Sequence, residues 1–340
     1  MILHLTRKEK FTKPFIDFIK ENFDISKHFF LLVGGQNKKE FYIEDDSYIK
    51  TISNKKDFLK YFIEFNKKMY KADKIIIHGL SQPYNIFYLF LNPWLLKKCY
   101  WAMWGGDFYF PEKQSWIKKR VIKNMGNLIS GYIGEYELAK QWYGTKGKFH
   151  ESFLYPSNLY KEIEIKNKKS NTINILLGNS ASDTNQHFDA FEKLLSLRDK
   201  DIKIYAPLSY GDENYAREVS NRGKEIFGDK FIPLLEFMPF DKYLLLLSEI
   251  DIGFFNHNRQ QAAGNIISLL GMGKKVYMRN DNTLFLFLKD ILVEVYDLEK
   301  DIELYFSEVN KKKNIDIIKE YFSKDNLIKQ WKDIFENDEQ

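Results

Sequence analysis

Short apolar runs alternate with amphipathic segments over the first third of the chain. Residues 2–5, 28–33 and 74–78 are nearly continuous apolar runs, and glycines close the second and third. We therefore predict that they are buried strands. Between them, 11–23 and 57–70 carry apolar residues at helical spacing and are predicted helices. This alternation predicts a parallel sheet with helices on both faces.

The same alternation ends with a strand at 128–133 and a helix from Glu135, and it resumes after residue 170. The later part contains predicted strands at 172–177, 202–206, 231–235, 252–255, 275–278 and 292–296, and predicted helices at 186–197, 213–227, 243–250, from Ala262 onward and, as one long helix, 315–335. We predict an α/β protein with two doubly wound, Rossmann-like domains at 1–160 and 173–314 facing a cleft. Residues 161–172 would be a linker, and 315–340 a C-terminal helix that is a candidate to pack back on the first domain.

A polar loop follows the predicted strand at 252–255 and leads into a helix. Strand, polar loop, small residues and helix together bring backbone N–H groups to an anion. The residues predicted here to bind a sugar nucleotide, the donor of a sugar, are Asn256, Arg259, Gln260, Gln261, Gly264 and Asn265. Gly178, Asn179 and Ser180 follow another strand of the same domain, so both loops are expected at one sheet edge. We predict a site for the diphosphate of a sugar nucleotide; the alternative is an ordinary connection whose polar residues face water.

Composition narrows the class of protein. Of 340 residues, 44% are hydrophobic and 29% charged, which is typical of a globular chain. The net charge of +5 does not indicate a nucleic-acid partner. A single cysteine, Cys99, excludes an intramolecular disulfide and fits a reducing compartment. No run approaches the roughly 20 apolar residues of a membrane span, so we expect a cytoplasmic protein that is soluble or peripheral.

Residues 84–123 combine aromatic and basic side chains. Such pairs suit an anionic bilayer surface, because rings lie at headgroup level and cations meet lipid phosphates. We assign contacts with the membrane, and with the acceptor molecule that would receive the sugar, to Trp101, Trp104, Lys118, Lys119 and Arg120. The alternative is a core helix beside a solvated basic face.

Asp107 lies in a Gly-Gly-Asp turn among aromatic residues. A carboxylate in such surroundings can have a raised pKa and act as a base. We predict that Asp107 is the catalytic base; the alternative is that it caps a turn or helix start.

Several motifs together resemble one family. They are 104–109 (WGGDFY), 177–180 (LGNS) with Asn185 and His187 after it, 240–243 (FDKY), and 251–255 (DIGFF) followed by Arg259-Gln260-Gln261 and Gly264. From about residue 74 to 296 the chain resembles the 4-acetamido-4,6-dideoxy-galactose (Fuc4NAc) transferases of enterobacterial common antigen synthesis. Gly106 and Ala262 depart from the family pattern.

The resemblance implies a metal-independent GT-B glycosyltransferase without a cofactor. It implies that the C-terminal domain holds a TDP-sugar and the N-terminal domain a polyprenyl-diphosphate-linked saccharide, at the cytoplasmic face of the bacterial inner membrane. GT-B enzymes commonly hold the nucleobase of the donor just before a helix corresponding to that at 243–250. This position favours Phe240 as a contact to the thymine; the alternative is that Phe240 is a hydrophobic staple for the helix. The competing functions are transfer with another nucleotide sugar or acceptor, such as lipopolysaccharide or a protein glycan, and non-catalytic nucleotide binding.

Overall fold

The computed structural model describes residues 1–35, 42–162 and 171–336. Their contacts divide the chain into two compact units. The first comprises Met1–Ser157 together with the chain from Lys324 onward, and the second comprises Asn158–Ser323. Of the predicted linker at 161–172, residues 163–170 lie outside the described residues.

The first unit contains a parallel sheet of seven strands in the order β3-β2-β1-β4-β5-β6-β7. The strands are β1 (Ile2–Lys8), β2 (His28–Gly35), β3 (Ile49–Ile52), β4 (Lys74–His78), β5 (Cys99–Ala102), β6 (Asn127–Ser130) and β7 (Lys148–Glu151). The central strands are buried along most of their length, as their apolar runs require when helices cover both faces. The direction of winding reverses between β1 and β4.

Seven α-helices belong to the first unit in the described ranges: α1 (Thr12–Asn22), α2 (Lys55–Lys71), α3 (Pro83–Leu91), α4 (Gly105–Phe108), α5 (Trp116–Lys123), α6 (Ile133–Tyr143) and α13 (Lys324–Glu336). Helices α2, α3, α5 and α6 contribute to the core on one face of the sheet. Helices α1 and α13 cover the other face, where the rings of Phe15 and Trp331 lie 5.0 Å apart. Lys74 links β4 to the end of α13, because its Nζ donates to the carbonyl groups of Ile334 at 2.8 Å and Phe335 at 3.1 Å.

The second unit contains six parallel strands in the order β10-β9-β8-β11-β12-β13. The strands are β8 (Ile173–Leu177), β9 (Ile202–Pro207), β10 (Phe231–Leu234), β11 (Ile252–Phe255), β12 (Lys275–Met278) and β13 (Tyr296–Asp297), and the helices are α7 (His187–Leu194), α8 (Glu213–Phe227), α9 (Phe240–Glu249), α10 (Ala263–Gly271), α11 (Thr283–Asp290) and α12 (Glu308–Tyr321). The direction of winding reverses between β8 and β11. The prediction of two doubly wound parallel sheets is therefore confirmed.

Three strands were not predicted. β5 is fully buried but lies within a longer aromatic segment, which hides its ends, and β3 and β7 are short edge strands with partly exposed residues. The single helix predicted at 315–335 is wrong, since α12 ends at Tyr321 and α13 begins at Lys324. The carbonyl of Phe322, between the two helices, accepts a hydrogen bond from the backbone N–H of Tyr160 at 3.0 Å.

The strand predicted at 292–296 is wrong except for its last residue. The side chain of Asn314 forms hydrogen bonds with both backbone groups of Glu294. It accepts from the N–H at 2.7 Å and donates to the carbonyl at 2.9 Å. Leu292 also has a positive φ of 67°, which is incompatible with a strand. In the described ranges, no helix is long and apolar enough to cross a membrane.

Candidate functional site

The two polar loops of the second unit meet at the point where its strand order reverses. β8 and β11 are parallel neighbours, and the N–H of Gly178 donates to the carbonyl of Phe254 at 3.0 Å. The loops that follow these strands therefore leave the same edge of the sheet. In open α/β sheets this reversal point is where ligands bind.

The side chain of Asn185 joins the two loops. Its Oδ1 accepts hydrogen bonds from the backbone N–H of Asn179 at 2.9 Å and from Nε2 of His257 at 3.0 Å. Its Nδ2 donates to Ser180 Oγ at 3.2 Å. A second link runs from Thr184 Oγ1 to Gln261 Oε1, at 2.9 Å. The two predicted donor-binding segments are thus held against each other.

Gly178 cannot be replaced without disturbing this arrangement. Its φ is +67°, in the left-handed region that favours glycine. A Cβ at this position would lie 2.6 Å from Asn185 Oδ1 and 2.9 Å from His187 Nε2. The glycine therefore permits both the turn and the close approach of the Asn185 carboxamide.

Four buried polar atoms at this edge have no hydrogen-bond partner within the described chain: Asn179 Oδ1, His187 Nε2, Asn256 Oδ1 and Gln261 Nε2. Asn256 is fully buried, and its Nδ2 donates to Asp189 Oδ2 at 2.7 Å and to the carbonyl of Gln186 at 3.2 Å. These donations leave Asn256 Oδ1 as an unused acceptor. Since buried polar atoms are rarely unpaired, these four atoms make the edge a candidate site for a polar ligand.

The start of α10 adds an electropositive group. Its N-cap, Ala262, has a left-handed backbone with φ 62°, and no side chain caps the helix. Such a start presents unpaired N–H groups and the positive end of the helix dipole. Gly264 lies in this first turn, where the missing Cβ permits close approach, while Asn265 donates to the hydroxyl of Tyr243 at 2.9 Å.

Arg259 lies in the loop just before that helix. Its Nη1 donates to the carbonyl of Gln260 at 3.2 Å, and its own carbonyl accepts from Asn282 Nδ2 at 3.0 Å. Burial lowers the pKa of His187 to about 4 and holds the pKa of His257 well below its usual range, so both imidazoles are neutral. The two imidazoles therefore add no positive charge to that of Arg259 and the helix start.

In the first unit, Asp107 lies in the short helix α4 after β5. Its Oδ2 accepts hydrogen bonds from the N–H of Leu80 at 2.7 Å, the N–H of Trp104 at 3.2 Å and Nε1 of Trp101 at 3.3 Å. Burial raises the pKa of this carboxyl, while the hydrogen bonds and the nearby Lys118 act in the opposite direction. These contacts are the ones that the capping alternative requires, and the role of Asp107 as a base stays a prediction.

A family model described as 4-alpha-L-fucosyltransferase, glycosyl transferase group 56, matches residues 10–339. The chain belongs to this family. The resemblance found in the sequence motifs is thereby confirmed, over a longer part of the chain than those motifs cover. The protein is a glycosyltransferase, and its family implies a nucleotide-sugar donor and an acceptor.

Solved structures with the same fold include other glycosyltransferases. A glycosyltransferase from Rickettsia africae superposes with a TM-score of 0.64 at 17% identity, covering 99% of this chain and 98% of that one. WaaG, a glycosyltransferase involved in lipopolysaccharide biosynthesis, gives 0.62 at 11%, covering 99% and 100%. The N-terminal domain of Candida albicans trehalose-6-phosphate phosphatase gives 0.65 at 10%, covering 97% and 95%. The predicted GT-B type of fold is confirmed.

Two residues that we assigned to the acceptor and the membrane do not fit that role in the group 56 transferase. Trp101 is completely buried, with its ring perpendicular to that of Phe108 at 5.8 Å. Lys118 is also buried, near Asp107. Both therefore belong to the interior of the first unit.

The other residues assigned to the acceptor and the membrane are more exposed than Trp101 and Lys118. Trp104 and Lys119 are half-buried and Arg120 is exposed. Phe240 begins α9, but its side chain lies outside the described part of the chain.

Sequence reasoning missed the residues that orient the donor-binding candidates. Asp189 fixes the carboxamide of Asn256, Thr184 contacts Gln261, and Asn282 holds the backbone of Arg259. Asp189 lies in the first turn of α7 and Asn282 caps α11. Both are ordinary residues for helix starts, so only their contacts distinguish them.

Proposed function

We propose that the protein transfers Fuc4NAc from a TDP-linked donor to a polyprenyl-diphosphate-linked saccharide in the synthesis of a bacterial surface polysaccharide. The observation that supports the donor site is the set of unpaired buried polar atoms beside the uncapped start of α10. The family and the sequence motifs support the choice of sugar and acceptor. The reaction needs no metal in this proposal.

The diphosphate would bind between the start of α10 and the backbone N–H groups of Gly178–Ser180. Arg259 would contribute a charge-assisted contact, as its planar guanidinium matches phosphate oxygens. These groups stabilise the charge that develops on the leaving diphosphate, because they are oriented before the reaction begins. Phe240 is proposed to contact the thymine base.

Three of the four unpaired atoms belong to carboxamide groups and differ in whether they accept or donate a hydrogen bond. Asn179 Oδ1 and Asn256 Oδ1 are acceptors and fit hydroxyl or amide N–H groups of the donor, whereas Gln261 Nε2 is a donor and fits an oxygen. Asn256 is the most firmly oriented of them, since two hydrogen bonds fix its Nδ2. We propose that Asn256 contacts the sugar and that Gln260 and Gln261 contact phosphate or sugar oxygens.

Replacing Arg259 with Ala tests the diphosphate site. Losing one charge-assisted contact is expected to weaken TDP binding by about 1.5–3 kcal/mol. Isothermal titration calorimetry measures this, with Arg217→Ala as the control, since Arg217 is an exposed residue of α8. Unchanged TDP affinity in Arg259→Ala would place the diphosphate elsewhere, and tighter binding of UDP, GDP or CMP than of TDP would favour the alternative donors.

Asp107 is proposed as the base that takes the proton of the acceptor hydroxyl. Asp107→Asn keeps an oxygen that can accept from Leu80 and Trp104 but cannot take up that proton. We expect transfer to fall by about 10²–10⁴ with TDP affinity intact. Kinetics and thermal denaturation on the same sample decide the matter, because parallel losses of activity and stability would assign Asp107 to capping alone.

Membrane association at the cytoplasmic face of the inner membrane is proposed for one face of the first unit. Its exposed apolar side chains are Leu59, Phe62, Ile63, Tyr84, Phe87, Leu91, Trp94 and Trp116, which we call the aromatic-basic face. Ring contacts link Phe62 through Phe58 to Tyr84, and Trp116 packs on Phe90 at 5.1 Å. Helix α2 alone carries six lysines and two acidic residues. Apolar rings with surrounding cations suit anionic lipid.

Vesicle sedimentation tests this face. The protein is expected to sediment with vesicles containing anionic lipid and to be released by salt, since surface charges are screened. The double variant Ile63→Ser/Trp94→Ser should lose most of this binding, whereas Val309→Ser, an exposed apolar position in the second unit, should keep it. Equal binding to neutral and anionic vesicles, or full binding by the double variant, would refute the assignment.

A further inference from the structure

A chain of hydrogen bonds joins five ring side chains of the first unit beneath α1 and α13, and four of these rings are buried. Trp104 Nε1 donates to the hydroxyl of Tyr155 at 3.0 Å, and that hydroxyl lies 2.9 Å from Nδ1 of His78. His78 Nε2 lies 3.1 Å from Nδ1 of His4, and His4 Nε2 lies 2.9 Å from Nδ1 of His28. Three of the six histidines of the protein are thus linked in one line.

The direction of this chain follows from its ends. An indole N–H only donates, so the oxygen of Tyr155 accepts from Trp104. Tyr155 is buried and has no third partner for its hydroxyl among the described residues, so its own proton goes to Nδ1 of His78. His78 and His4 then each accept at Nδ1 and donate from Nε2–H, and His28 accepts at Nδ1. One tautomer satisfies all four links.

All three imidazoles must be neutral for that arrangement. Burial lowers the pKa of His78 to about 3 and that of His28 to about 4, and burial together with its two neighbours holds the pKa of His4 well below its usual range. Asp24 opposes the shift at His28, while Lys27 and the amino terminus reinforce it. At neutral pH the chain of hydrogen bonds is therefore intact.

Trp104 is the only member of this chain that is not buried, and it lies just beyond the carboxyl end of β5. Its ring packs on Gly79, where a Cβ would come within 2.7 Å of it, and the guanidinium of Arg7 lies 5.9 Å from its centroid. Aliphatic residues would fill the core under α1 and α13 without the cost of burying polar rings. The hydrogen-bonded rings instead orient the half-exposed indole of Trp104 at the carboxyl edge of the sheet, where ligands bind in such folds.

We propose that His28, His4, His78 and Tyr155 are positioning residues, which hold the indole of Trp104 as a platform for the saccharide of the acceptor. This inference rests on the proposed function, in which the first unit binds that acceptor. A sugar ring presents C–H groups to an aromatic face, and the value of such a contact depends on the angle of the ring. The chain fixes that angle through the only polar atom of the indole.

The test compares His4→Leu, which breaks both central links, with His4→Gln, whose amide can accept from His78 and donate to His28. Tyr155→Phe breaks the chain beside Trp104 with a smaller change in volume. We expect His4→Leu and Tyr155→Phe to lower kcat/KM for the acceptor by at least about tenfold with TDP affinity unchanged, and His4→Gln to restore most of it. Wild-type acceptor kinetics in folded Tyr155→Phe, or equal losses in His4→Leu and His4→Gln, would overturn the proposal.

A second readout does not depend on transfer. In protein labelled with 5-fluorotryptophan, the Trp104 resonance, assigned by its loss in Trp104→Phe, should shift or broaden in Tyr155→Phe. The exposed Trp94 and Trp116 should keep their resonances. A sharp, unmoved Trp104 resonance would overturn the positioning role. Failure of the wild-type protein to use any lipid-linked acceptor would refute the proposed function while this spectrum still reports on the chain.

Discussion

The hydrogen bonds of Asn185 are the constraint on which the candidate donor site depends. One carboxamide oxygen accepts from the loop after β8 and from the loop after β11, and so fixes the distance between segments about 75 residues apart in sequence. The parallel register of the two strands brings the loops to one edge, but register alone does not orient their side chains. With Asn185 in place, the glycine at 178 becomes necessary, and the start of α10 lies beside unpaired polar atoms.

Positive potential and neutral polar groups have separate roles at this edge. The buried histidines carry no charge at neutral pH, so they contribute hydrogen bonds. Arg259 and the uncapped helix start carry positive charge and potential that suit an anion. This separation suits a ligand with a charged diphosphate and a neutral sugar, because each half meets groups of the matching kind.

Much of this organisation could be predicted from the sequence, because continuous apolar runs closed by glycine specify buried parallel strands. Asn256 and Gly264 follow a short apolar run, and that position was enough to place them at a sheet edge. The sequence did not show that Trp101 and Lys118 are buried, since an aromatic-basic segment has the same composition on a surface and around a core. It also did not show that Asn314 takes the hydrogen bonds of a strand-like segment, because long-range side-chain contacts leave no local pattern.

The line of imidazoles was equally hidden, since each histidine is an isolated residue in its own strand. Only the alignment of β2, β1 and β4 brings them to one face of the sheet. Both units thus place buried neutral histidines near the reversal of strand order, and in each unit they orient other groups through hydrogen bonds. In both units, neutral imidazoles therefore position neighbouring side chains through hydrogen bonds.

The central claim is that a nucleotide diphosphate binds at the edge formed by β8 and β11 in the second unit. Amide hydrogen exchange with and without TDP measures this most directly, because it reports on each loop separately. The account predicts that saturating TDP slows exchange at 178–185 and 256–265 and leaves the carboxyl edge of the first sheet unchanged. Protection at the first sheet with no change in those two segments would contradict it.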